Sequence, residues 1–282
     1  MGIVLALLSG FVYGTSDYIG GRASRRVAPI AICWFSEVTM LVVFGLSIPL
    51  LADSGPTSAA IRWGIVGGLA GSIAVLGLYA ALSRGNMTAV APITGVVAAA
   101  LPVAAGLFLG ERPGLVSAIG IVLAILAVAL IGGAVGVTRR RVPRSTIVLA
   151  IFVGAGFGLL FIAYARAGDD SGLWPLLTSR LGGVPLLGTA YVIARRRGRV
   201  APTDRRAVWP AVAMGLMIGV ANGLYLLSTR EGLLSVVAVI VSLYPASTIM
   251  LAIALDRERA SRSQLVGMAL AVAAVTTITL GS

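Results

Sequence analysis

Apolar runs of about twenty residues follow one another along this chain, and short clusters of arginine stand between them. A helix needs a run of about that length to cross the hydrocarbon of a bilayer. The chain has 282 residues, of which 58% are hydrophobic and 11% charged, with mean hydropathy +1.00. No soluble fold of this length can hide so much apolar surface, since soluble domains carry roughly 25% charged residues. A soluble enzyme, a disordered chain and a collagen-like rod are excluded.

Cutting the sequence at charges and at Gly/Pro/Asp/Ser clusters gives ten expected spans. They run over 2–22, 29–51, 62–82, 87–109, 114–136, 145–166, 172–194, 207–229, 232–255 and 263–281. The first has no basic lead and no small-residue cleavage site, so it reads as a retained helix and not a signal peptide. Ala6 stands where N-myristoylation requires Ser or Thr. The longest connections, 195–206 and 52–61, leave no room for a domain outside the bilayer.

The formal net charge of +12 raises the question of nucleic acid. All 22 basic residues are Arg. They lie in blocks beside apolar spans instead of along one stripe, the pattern of a positive-inside signal and not of a DNA- or RNA-binding face. His is absent and Cys33 is the single cysteine, which removes an internal disulfide framework, Cys/His metal sites and His-activated nucleophiles. No cofactor motif is present. Gly154, Gly156 and Gly158 lie within a span, after no strand, and form no phosphate loop.

The chain repeats itself. Ile3-Val4-Leu5-Ala6 recurs as Ile147-Val148-Leu149-Ala150, and Gly10, Gly14, Arg22 and Ala23 meet Gly154, Gly158, Arg166 and Ala167 at the same offset. Gly77-Leu78-Tyr79 recurs as Gly223-Leu224-Tyr225, and Glu111-Arg112 with Gly120 as Glu258-Arg259 with Gly267. Two units result, 1–138 and 145–282, each with five spans. Five is odd, so the second unit enters the membrane from the opposite side. The odd-numbered loops carry 17 Arg and the even-numbered loops four, which puts the odd loops in the cytoplasm and both termini outside. Inverted repeats of this kind belong to transporters that work by alternating access. The expected fold is an all-α membrane protein of ten transmembrane helices in two inverted five-helix repeats.

Gly110-Glu111-Arg112 followed by Gly120, the aromatic-Gly pair Tyr13-Gly14, and the stretch Leu233 to Ala238 with Ser242-Leu243-Tyr244-Pro245 resemble the drug/metabolite transporter superfamily. The similarity is to ten-span proteins with two EamA-type repeats, and it covers essentially the whole chain. It implies secondary transport of small solutes and says little of the substrate. Three features depart from that pattern. Arg257 replaces the glycine of Gly-Glu-Arg in the second unit. Ala98 stands where Pro245 would align. The loop charges put the termini outside, where such proteins are usually drawn with cytoplasmic ends.

Ionisable groups at membrane depth are costly and therefore functional candidates. Three lie well inside expected spans: Asp17, Glu37 and Arg180. Glu37 and Arg180 sit roughly 12 Å into their spans at 1.5 Å per residue, and Ser36-Glu37 aligns with Ser179-Arg180 across the repeat. Arg180 is a candidate to hold an anionic substrate group or a counter-carboxylate, and Glu37 or Asp17 a candidate proton carrier. A static pair that neutralises buried charge is the alternative. Trp34, Trp174, Tyr79, Tyr225 and Tyr244 are candidates to line a cavity, with membrane-interface anchoring as the alternative. Asn222 is positioned to contact substrate or a neighbouring helix.

Pro92, Pro102 and Pro245 are expected to interrupt spans 4 and 9 near the transport path. Gly64, Gly67, Gly68 and Gly71, and likewise Gly215, Gly219 and Gly223, form small-residue faces for close helix packing. Glu111 and Glu258, at the membrane edges, suit capping or a gating ion pair.

These readings point to a secondary transporter in the cytoplasmic membrane. It moves a small polar or amphipathic metabolite, most plausibly outward, as a monomer or homodimer with the lipid bilayer and its solute as partners. A lipid flippase and a membrane enzyme are the alternatives. A lateral groove would favour the flippase, and a closed polar central cavity the metabolite transporter.

Overall fold

The computed structural model describes the chain except residues 25–26, 53–54, 83–86, 133–142, 202–204, 258–259 and 282, and the side chains of 51, 79–82, 87–89, 91–92 and 205–207. The described residues form helices and no strand: α1 Gly2–Ser24, α2 Pro29–Leu51, α3 Ser58–Leu82, α4 Met87–Phe108, α5 Leu115–Ile131, α6 Arg144–Arg166, α7 Trp174–Arg196, α8 Arg205–Glu231, α9 Leu234–Val241, α10 Tyr244–Asp256 and α11 Arg262–Leu280. Helix is the structure expected of segments that cannot hydrogen-bond to lipid, because it satisfies the backbone within the segment.

Among the described residues eight stretches are long and apolar enough to cross a membrane, with Leu234–Asp256 counted as one. In the regions of the expected fourth and fifth spans the described apolar helices cover Ile93–Phe108 and Leu115–Ile131. The expected ninth span is divided. α9 ends at Val241, and α10 starts at Tyr244 with Pro245 in its first turn, where a missing N–H leaves no bond unmade. The expected interruption at Pro92 and Pro102 is corrected: α4 runs helically through both. A helix can absorb a proline when neighbouring groups satisfy the freed carbonyl.

The two halves interlock instead of packing as separate bundles. α1 lies along α8, and α6 along α3; α2 packs on α7, α5 on α11, and α4 on α9. Each of these contacts joins one half to the other, and the set maps onto itself when the halves exchange places. Glycine permits it. A Cβ on Gly68 of α3 would overlap the backbone of Ser179, and one on Gly215 of α8 would press on the backbone of Ser36. Gly64 abuts Thr178 and Pro175, while Gly219 abuts Phe44 and Met40. Gly223 makes only ordinary contact, with Leu176. The same device therefore pins the residue before Glu37 and the residue before Arg180.

Candidate functional site: a charged cavity between the halves

Helices of both halves line a cavity of about 140 Å³. Five of the residues expected from sequence to meet solute or carry a proton line it: Asp17, Glu37, Arg180, Asn222 and Tyr244. Asp17 comes from α1, Glu37 from α2, Arg180 from α7, Asn222 from α8, and Tyr244 from the start of α10. Asp17, Glu37 and Arg180 are the only acidic or basic residues among the described lining.

Arg180 is buried at 3% exposure, and a buried guanidinium must have its donors satisfied. It has five N–H donors, and five contacts receive them. Nε donates to Ser179 Oγ at 3.1 Å. Nη1 donates to Glu37 Oε2 at 2.8 Å and to Met40 Sδ at 3.4 Å. Nη2 donates to Tyr164 Oη at 3.0 Å and to Ser179 Oγ at 2.8 Å. Glu37 and Arg180, aligned across the repeat, thus meet as an ion pair where α2 packs on α7.

Asp17 differs. It takes part in no hydrogen bond or ion pair among the described residues, and its side chain retains accessible surface. The phenols of Tyr13 and Tyr244 lie within electrostatic range of it. Tyr13 donates to Asn222 Oδ1, joining α1 to α8. Ser72, on α3, is 3% exposed, and its hydroxyl has no partner among the described residues.

Other candidates stand elsewhere. Tyr225 is fully buried and donates to the backbone oxygen of Phe161 at 3.1 Å, so it ties α8 to α6 and does not reach the cavity. Trp34 stacks on Tyr191 with ring centroids 5.0 Å apart, against Gly188, and is absent from the lining. The side chain of Tyr79 lies outside the described residues, as does Glu258. Cys33 is buried in the cavity wall. Sequence reasoning missed Tyr164, Ser72 and Met40. Each sits among ordinary apolar or small residues, and only its neighbour in the fold gives it a role. Tyr13 was visible as half of an aromatic-Gly pair.

Glu111 is a cap. Its carboxylate accepts from the backbone N–H of Leu234 at 2.6 Å and of Ser235 at 2.9 Å, so a residue of the first half closes the free N-terminus of α9 in the second. At the far end of the divided span, Arg22 of α1 pairs with Asp256 of α10.

Interlocked helical halves, membrane-length apolar helices and a charged cavity between the halves define a multi-pass membrane transporter. The chain belongs to the EamA-like transporter family, which matches it in two blocks, residues 1–133 and 144–280. It is therefore a membrane transporter of the drug/metabolite transporter superfamily. A solved crystal structure titled only as that of a protein is similar to it in fold, with TM-score 0.80 and 16% identity over 99% of this chain and 96% of its own. No curated protein matches.

Proposed function

We propose that this transporter is a secondary one, moving a small polar or amphipathic solute through the cavity by alternating access. The observation that carries this reading is where the charge converges: Asp17, Glu37 and Arg180 come from both halves onto one cavity. A rocking of one half against the other would expose that space to each side in turn. The Glu37–Arg180 pair, at the contact of α2 with α7, is the centre about which the halves rearrange. Asp17 is the group left to meet a solute or a proton, and a proton gradient or solute exchange supplies the energy. The 17 Arg of the odd loops face the cytoplasm in this reading, and the solute leaves the cell.

The lipid flippase is less favoured. The furrow between α2 and α8 is lined by Phe35, Val38, Val212 and similar residues, with no ionisable group among its described lining. Catalysis is less favoured too, since Glu37, one of the two carboxylates among the described lining, is held by Arg180.

Purified protein in sealed vesicles, offered amino acids, nucleobases and cationic dyes with and without a pH gradient, tests the proposal. We expect at least one solute to accumulate, and Asp17→Asn to abolish the uptake in a chain that still folds. Folded protein that moves none of them, or that scrambles labelled lipid instead, overturns it.

A further inference from the structure

We infer that the cavity takes a small organic monocation with an apolar or aromatic body, an inference that rests on the transport reading above. The charges that line it are Asp17, Glu37 and Arg180 among the described residues, a net of one negative. Arg180 cannot supply an anchor for an anion, because all five of its donors already have acceptors within the protein. A carboxylate-bearing solute would have to displace Glu37, Tyr164 or Ser179 from a guanidinium that is 3% exposed. Such a displacement leaves a buried charge or hydroxyl unmatched, which is costly.

Asp17 is in the opposite condition. It has no ion pair or hydrogen bond among the described residues, and the cavity reaches it. A carboxylate in the low-dielectric setting of a membrane interior attracts a cation far more strongly than one in bulk solvent, and the exposed side chain of Asp17 leaves room for one to approach. Tyr13 and Tyr244 lie within electrostatic range of it, and Phe157 and Phe161 line the same cavity. Their faces favour an alkylated ammonium group over a neutral or negative one. The unpartnered Ser72 hydroxyl offers a hydrogen bond to a polar substituent on the same solute. A zwitterion such as a free amino acid would satisfy Asp17 and leave its own carboxylate without a cation.

Two probes of nearly equal shape separate the alternatives: benzyltrimethylammonium, a cation, and benzylsulfonate, an anion. Equilibrium dialysis of the purified full chain in detergent micelles against each should show the cation bound about tenfold or more tightly. Asp17→Asn should lose most of that preference, with sulfonate binding unchanged or improved. The wild-type comparison stands alone if the variant does not fold. Equal binding of the two probes, tighter binding of the sulfonate, or no cation binding at millimolar concentration by monodisperse protein overturns the inference. Vesicle flux separates this failure from failure of the transport reading. Uptake of an anionic solute without cation binding sinks the inference alone, and cation binding without any flux sinks transport alone.

Discussion

The α1 face that receives α10 and the α6 face that receives α4 are the same joint built twice, and they differ where it matters. On α1, a Cβ at Gly14 would overlap Ser247 Oγ and the backbone of Tyr244 and Thr248. On α6, the aligned Gly158 faces only Leu101 and Pro102, with its nearest approach at 3.0 Å to a side-chain carbon. The first joint is drawn tight by hydrogen bonds. Ser247 and Thr248 donate to the backbone oxygens of Gly10 and Gly14, at 3.3 and 3.0 Å. The second has one such bond, from Thr94 to the backbone oxygen of Ala150 at 3.3 Å, and keeps an unbroken helix. Duplication preserved the glycine and the docking, and divergence put the helix break, Tyr244 and the free carboxylate on one side only. A symmetric scaffold thus carries an asymmetric cavity.

The sharpest way to break the comparison is at the one place where the halves hold opposite charges. Arg180→Met leaves Glu37 buried without its partner, and breaking such a pair costs about 3–5 kcal/mol. The double change Glu37→Leu with Arg180→Met should recover most of that loss, read as melting temperature in detergent. If the single change melts like wild type, the pair does not hold α2 to α7.

Next in size is the joint itself. Gly14→Ala forces backbone apart and should cost about 3 kcal/mol, while Gly158→Ala asks only a leucine to shift and should cost about 1 kcal/mol. Thermal melts of the two single variants, compared side by side, measure the difference. Equal losses would mean that the two joints are equally tight.

Much of this was legible in the chain. Hydrophobic length gave helices, recurring landmarks gave the two halves, and the expense of buried charge singled out Asp17, Glu37 and Arg180. Alignment of Glu37 with Arg180 even pointed to their meeting, because pseudo-equivalent positions near a two-fold axis are neighbours. What could not be read is how donors are allotted. The sequence left Arg180 open to substrate or to a carboxylate, and only coordinates show that Tyr164, Ser179 and Met40 complete its five contacts. Aromatics were equally opaque, since Tyr225 and Tyr244 look alike in sequence and only Tyr244 reaches the cavity. Proline misled in α4 because its effect depends on what surrounds the freed carbonyl.

Glu111 sharpens the comparison from the membrane edge. Replacement by Gln keeps an acceptor for one N–H and removes the charge from the α9 N-terminus. We expect a loss of about 1–2 kcal/mol, the difference between a charge-assisted and a neutral hydrogen bond plus the helix-dipole contribution. Hydrogen exchange at Leu234 and Ser235 should quicken in step with the melting temperature falling. Exchange that stays at the wild-type rate would mean that the cap adds nothing to α9.

The smallest expected effect concerns the position where the second half departs from Gly-Glu-Arg. Gly110 has φ of +96°, a backbone conformation that glycine adopts freely, and Arg257 has φ of +55°. The turn after α10 therefore kept its left-handed backbone when it lost its glycine; the Arg257 N–H still closes onto the oxygen of Ala252. A side chain there costs about 1–2 kcal/mol, of which the greater freedom of glycine in the unfolded chain takes back about 0.5–1 kcal/mol. Arg257→Gly should then raise stability by about 0.5–1 kcal/mol, and Gly110→Ala should lower it by about 1 kcal/mol or more. Arg257→Asn separates strain from charge, since asparagine tolerates this region better than most residues. If Arg257→Asn stabilises as Arg257→Gly does, relief of backbone strain is the cause. If all three changes leave the melting temperature where it was, the two turns are not equivalent and the left-handed residue at Arg257 is held by something other than its place in the repeat.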